Sequence, residues 1–145
     1  MTSPEQKAAR ELLDWTAGAV QSLPHRPGLA VLLLEEGPES RPFSDALERD
    51  ADACGVYCES YAFPAPLREE AMELRTLLAD REDLHWTILL PGTQPDWSAL
   101  LPAGAAARLD RCALAPEALS ALTPADPLFR AILLAVTAGR AGASD

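Results

Sequence analysis

Apolar residues recur at Ala9, Leu12, Leu13, Ala17, Val20 and Leu23, steps of three and four that place most of them on one face of an amphipathic helix. Ser3-Pro4-Glu5 opens that helix with a cap, a proline at the first helical position and an acid in the first turn. Pro24 and Pro27 stop it. The pattern then changes. Gly28-Leu-Ala-Val-Leu-Leu-Leu34 is apolar without interruption, as a strand covered on both faces of a parallel sheet must be. Residues 41–54 read as a second helix closed by Gly55, and residues 56–62 as a strand. Leu67, Ala71, Met72, Leu74, Leu77 and Leu78 mark a helix over 67–79. Residues 85–90 form the third strand, ended by Pro91-Gly92. A short helical turn is expected at 96–99 and a fourth strand at 110–114. Thr123-Pro124 is expected to cap a last helix reaching about residue 137, with 139–145 as a polar tail.

This alternation predicts an α/β fold: a three-layer α/β/α arrangement around a mostly parallel sheet of about four strands, in one domain over residues 1–145. Ligands of such sheets collect at the carboxyl ends of the strands. The loops at 35–40 and 91–97, and the segment after Leu114, therefore form the candidate site region.

Composition narrows the partners. The chain has 145 residues, with 48% hydrophobic and 23% charged residues, the balance of a globular protein. Acidic residues outnumber basic ones by 22 to 12, for a formal charge of -10, which argues against nucleic acid and anionic membrane as partners. The amino terminus lacks the pattern of a signal peptide, and the longest apolar runs, 28–34 and 131–138, are too short to span a bilayer. Cys54, Cys58 and Cys112 read as reduced, inert thiols of a cytoplasmic protein. No second ligand pair follows Cys54 and Cys58, and His25 and His85 fall in different segments, so no metal is expected. Asp45, Glu48 and Asp52 read as a solvated helix face, and no nucleophile motif is present.

One stretch carries more information. Arg26-Pro-Gly-Leu-Ala-Val-Leu-Leu-Leu34, then Gly37-Pro38-Glu39-Ser40, resembles the methylenetetrahydrofolate dehydrogenase/cyclohydrolase family, whose members typically read PGLAVILVGDNPAS here. The order continues with a helix closed at Cys54-Gly55, a Ser60-Tyr61 pair in the next strand, and Ile88-Leu-Leu-Pro91 in place of an ILVQLPLP-like motif. Thr123-Pro124 resembles the pair that begins the helix leaving that family's catalytic domain. The resemblance implies tetrahydrofolate one-carbon chemistry on an α/β catalytic domain.

Two departures weigh against that chemistry. The family continues into a nicotinamide-binding Rossmann domain, whereas this sequence ends at Asp145 without a glycine-rich phosphate fingerprint, so no cofactor is expected. The family's catalytic tyrosine and lysine fall in ungapped alignment on Phe43 and Leu47. Leucine has no proton to exchange, and phenylalanine keeps a stacking surface without the hydroxyl. The chain's only lysine is Lys7. The family glutamine is replaced by Leu89, with Gln94 five residues further on; Ser40 matches a substrate-site serine, and Asp110 aligns loosely with the pterin-binding aspartate.

Ser40, Phe43, Leu47, Leu89, Gln94 and Asp110 are thus the candidate ligand residues, with no catalytic residue and no metal. For Phe43 and Leu47 the leading expectation is ordinary core, continued along the helix by Ala51 and Cys54. Trp86, Trp97 and Tyr61 serve equally well as packing or as walls of a flat-ring pocket. The expected function is that of a degenerate catalytic-domain relative, a pseudoenzyme binding a folate-like small molecule or a protein partner. The alternative is a small enzyme repurposed for a folate-like or other heteroaromatic substrate. The oligomeric state stays open, as does a separate protein supplying a cofactor domain.

Overall fold

A computed structural model describes residues 3–34, 37–90 and 96–143. Strand β1 (Gly28–Leu34) is buried at all of its 7 positions. Its neighbours β2 (Tyr57–Phe63) and β3 (Trp86–Leu90) both run parallel to it, in the order β2-β1-β3. Side chains alternate across a strand. Leu29, Val31 and Leu33 therefore enter one core, and Ala30, Leu32 and Leu34 a second, smaller one.

Helices cover both faces. Helix α3 (Arg68–Ala79) follows a 3-10 turn at Ala65–Leu67 and places Ala71 and Leu78 on the smaller core. On the other face lie α2 (Ser40–Cys54) and α7 (Pro127–Ala143). Helix α7 is buried almost all round, because α1 (Pro4–Gln21) packs along its outer side, with α5 (Ala103–Asp110) against α1 in turn. A helix apolar on every side belongs inside the molecule, and each of its fully buried Leu, Ile or Phe side chains contributes about 1.5–3 kcal/mol. Two short helices, α4 (Trp97–Leu100) and α6 (Pro116–Ser120), fill the connection from β3 to α7. Among the described residues no helix is long and apolar enough to cross a membrane.

Local chemistry sets the ends of these elements. The Ser3 hydroxyl accepts from the Gln6 amide, and the Gln6 side chain accepts from the Ser3 amide, both at 3.1 Å. That reciprocal cap fixes the start of α1. Helix α2 ends at Gly55, whose φ of 86° lies in the left-handed region, and the Val56 amide bonds the Ala51 carbonyl at 2.9 Å. Thr16 is fully buried on the α1 face, and its hydroxyl donates to the Leu12 carbonyl at 2.7 Å, so the buried oxygen is satisfied. Gly28 admits no side chain: a Cβ there would stand 2.0 Å from the Asp83 carbonyl oxygen. The same residue receives β3, accepting from the His85 amide at 2.7 Å and donating its own amide to His85 Nδ1 at 3.0 Å.

The α/β class and the parallel sheet are as the pattern predicts, with three corrections. The sheet has three strands among the described residues, not four. The expected strand at 110–114 is instead the end of α5 followed by a turn, with Cys112 N–H on the Leu109 carbonyl at 3.0 Å and Ala113 at φ 53°. The alanine-rich run before it favours helix, and the segment has no β-branched residue to hold it extended. The last helix starts later and runs further than expected. Asp126 accepts from the Thr123 amide and hydroxyl, at 2.8 and 3.3 Å, which makes 123–126 a turn ahead of Pro127. At the other end Ala138 and Ala141 are buried, so packing carries the helix through glycines that alone cost about 1 kcal/mol each.

Candidate functional site

The carboxyl ends of β1 and β3 meet the start of α2 in an open cleft of about 430 Å³, within the range of small-molecule sites. Leu33, Leu34 and Leu90 come from the strands, Gly37, Pro38 and Glu39 from the loop, Ser40 and Phe43 from α2, and Pro124 from the turn before α7. This is where an open parallel sheet places its ligands.

The loop is shaped by Ser40. Its hydroxyl accepts from the Gly37 amide at 3.0 Å, and its own amide donates to the Gly37 carbonyl at 3.1 Å. Ser40 is thus the first residue of α2 and a turn-former, with a hydroxyl proton still available to donate. Glu39 occupies the cap position but makes no side-chain bond to the helix amides.

Phe43 closes the inner wall. Its ring meets Phe129 edge-on at 6.3 Å and 68°, and Phe129 meets Trp97 at 5.5 Å and 82°. Such pairs contribute about 0.5–1.5 kcal/mol beyond their buried area. Against this stands the Trp97 indole N–H, buried without an acceptor among the described residues, a feature that costs about 1–3 kcal/mol. One turn further along α2, Leu47 is 0% exposed and packs with Ala51 and Cys54 in the larger core. Asp50 on the same helix accepts from Arg130 of α7 at 3.1 Å in a largely buried ion pair.

The six residues singled out by sequence do not converge. Ser40 and Phe43 line the cleft. Leu47 is buried in the larger core and is not part of the cleft lining. Leu89 packs on the opposite face of the sheet with Ala30, Leu32 and Leu34. Asp110 is exposed at the end of α5, where it borders a different hollow with Leu109 and Leu114. Gln94 lies outside the described residues. Trp86 carries the Arg140 guanidinium over its ring at 5.1 Å, and Tyr61 packs on the α3 side, so neither is among the described residues of the cleft wall.

A polar constellation that sequence reading missed sits on the α3 face of β2. Tyr57, Glu59 and Tyr61 alternate onto one side of the strand, and both phenol hydroxyls donate to the Glu59 carboxylate. Arg81 grips the same carboxylate with two bonds, at 2.8 and 2.7 Å, and reaches Asp83 at 3.0 and 2.6 Å. The guanidinium lowers the Glu59 pKa to about 2, with the tyrosine bonds adding to its effect. The bond to Glu59 raises both tyrosines, and Arg81 lowers Asp83. The same-face spacing was visible in the sequence; the arginine that completes the group was not.

Two of the three thiols, Cys54 and Cys58, are held in the protonated form. Burial pushes Cys54 up to about 11 and Cys58 up to about 12, with the nearby carboxylates Glu48, Glu59 and Asp52 adding to the second, so the nucleophilic thiolate is suppressed. Among the described residues no three His, Cys, Asp or Glu side chains gather as a metal set. Of the acidic face on α2, Asp45 and Asp52 pair with Arg41 and Arg26 at 3.9 and 3.6 Å, while Glu48 accepts from Ser60 at 3.4 Å. These are surface contacts of small energetic weight.

Comparison with protein-family models finds no match to this chain, and no curated protein matches it.

Proposed function

We propose that this protein is a relative of the folate dehydrogenase/cyclohydrolase catalytic domain that binds a small, flat, largely apolar ligand in the cleft and does not perform the parent reaction. The observation that carries this reading is Leu47. At the position where the resemblance places a proton-handling amine, the side chain is hydrocarbon and 0% exposed. Phe43 beside it is 6% exposed and held by Phe129. Among the described residues that line the cleft, Glu39 is the one titratable side chain, and it is exposed rather than buried beside Leu47. The apolar floor supports binding of a ring system by contact area and desolvation. In this reading the protein acts in the cytoplasm as one domain, without nicotinamide.

Two measurements test the proposal. Hydrolysis of methenyltetrahydrofolate, followed by absorbance, is expected at the spontaneous rate; turnover above it that disappears in Ser40→Ala would overturn the claim of lost chemistry. Calorimetry with reduced pterins and other heteroaromatics is expected to show saturable binding weakened by Phe43→Ala. If no heteroaromatic binds, the ligand-binding reading fails.

A further inference from the structure

The lining of the cleft is uneven in charge. Glu39 is its only charged residue among those described. Its carboxylate is exposed, does not cap α2, and forms no ion pair or hydrogen bond among the described residues. None of the ion pairs among the described residues includes it. Arg41, next along the chain from Ser40, leans on Asp45 at 3.9 Å. Arg130 bonds Asp50 at 3.1 Å and the carbonyl of Ala125, beside Pro124, at 3.3 Å. An anion entering the cleft would meet an unpaired carboxylate on a chain whose formal charge is -10, and both repel it.

We infer that the cleft selects a planar heteroaromatic ligand bearing a positive charge, its ring body against Leu33, Leu90 and Phe43 and its cationic nitrogen toward Glu39. The inference rests on the cleft reading above and adds to it the sign of the ligand. An apolar floor alone binds rings without regard to charge; the carboxylate at the rim supplies the discrimination.

The test uses three probes of one shape: 9-aminoacridinium as the cation, acridine as the neutral ring at pH 7.5, and acridine-9-carboxylate as the anion, each titrated by fluorescence. The cation is expected to bind about three- to fivefold more tightly than acridine at low ionic strength, the scale of one exposed ion pair. Added salt should narrow the gap, and the carboxylate should bind most weakly. Glu39→Gln should remove the preference while leaving acridine affinity in place, and Glu39→Lys should turn it toward the carboxylate. Glu70→Gln, exposed on α3 across the sheet, should change nothing, which separates a local effect from the charge of the whole chain. Equal binding of cation and neutral ring, or a preference that survives Glu39→Gln, overturns the inference and leaves the cleft reading intact. If none of the three binds, the cleft reading falls with it.

Discussion

Replacing Glu59 with glutamine removes one charge and leaves the shape of the side chain nearly unchanged, which makes it a clean probe of the cluster on β2. In the native protein this carboxylate takes two guanidinium bonds, at 2.8 and 2.7 Å, together with the two phenol hydroxyls, while its side chain is 14% exposed. Its pKa falls from 4.5 to about 2. Each unit of difference between folded and unfolded states is worth about 1.36 kcal/mol, which sets an upper bound near 3 kcal/mol on its contribution at neutral pH. Arg81 is 36% exposed, so solvent screening reduces this, and we expect a loss of about 1–2 kcal/mol for Glu59→Gln. Because the folded pKa is the lower one, the contribution is present in full above about pH 5 and is lost as the pH falls through the folded value near 2. Urea unfolding followed by circular dichroism, at pH 7 and in steps down to pH 3, reads both quantities. The wild type should lose stability across that interval more steeply than the variant, so that the gap between the two narrows toward pH 3. A variant within 0.3 kcal/mol of wild type at pH 7, or parallel pH profiles, would refute the reasoning that this cluster is a net stabilising clamp.

Three further substitutions test other parts of the fold. Gly28→Ala forces a Cβ to 2.0 Å from the Asp83 carbonyl oxygen, so β3 or its preceding loop must shift; a loss of more than about 3 kcal/mol in urea unfolding is expected. Ala113→Gly relieves a residue held at φ 53° and should raise stability by about 0.5–1 kcal/mol, seen as a higher thermal midpoint. Leu47→Lys introduces the amine that the proposed kinship would call for, at a site that is 0% exposed; it should cost about 3 kcal/mol or more in stability and yield no methenyltetrahydrofolate hydrolysis above the spontaneous rate.

What the sequence disclosed followed the range of the forces involved. The run from Gly28 to Leu34 announced a central strand because both of its faces are covered, and the cap of α1 and the glycine closing α2 are local devices readable over a few residues. Ser40 and Phe43 share the cleft wall because they lie close together on the chain. Leu89 was misplaced relative to the cleft for a different reason. Strand β3 ends in two leucines, Leu89 and Leu90, that point to opposite sides, so its pairing with β1, Leu89 opposite Leu32, decides which of them faces the cleft. Asp110 depended on a strand that is a helix end. Arg81, 22 residues from Glu59 in sequence, joins the β2 cluster only after α3 has folded back along the sheet.

The packing of α2 would keep the ligand proposed for the cleft from reaching the position of Leu47. From Phe43 through Leu47 and Ala51 to Cys54, every inward position of the helix is buried and apolar, and the Asp50–Arg130 pair, with side chains 20% and 12% exposed, ties it to α7. An amine at position 47 would need solvation or a ligand beside it, and would hold space open; a leucine has no such requirement and the core closes over it. Depth, and with it the environment in which a buried proton carrier works, is traded for close packing. In the proposed reading, the groups left to discriminate among ligands are therefore those of the 37–40 loop, whose Gly37, Glu39 and Ser40 line the cleft. Specificity that resides in a short surface loop on a rigid sheet can change without disturbing the fold, so exchange of residues 37–40 is expected to alter ligand preference while leaving the unfolding midpoint nearly unchanged.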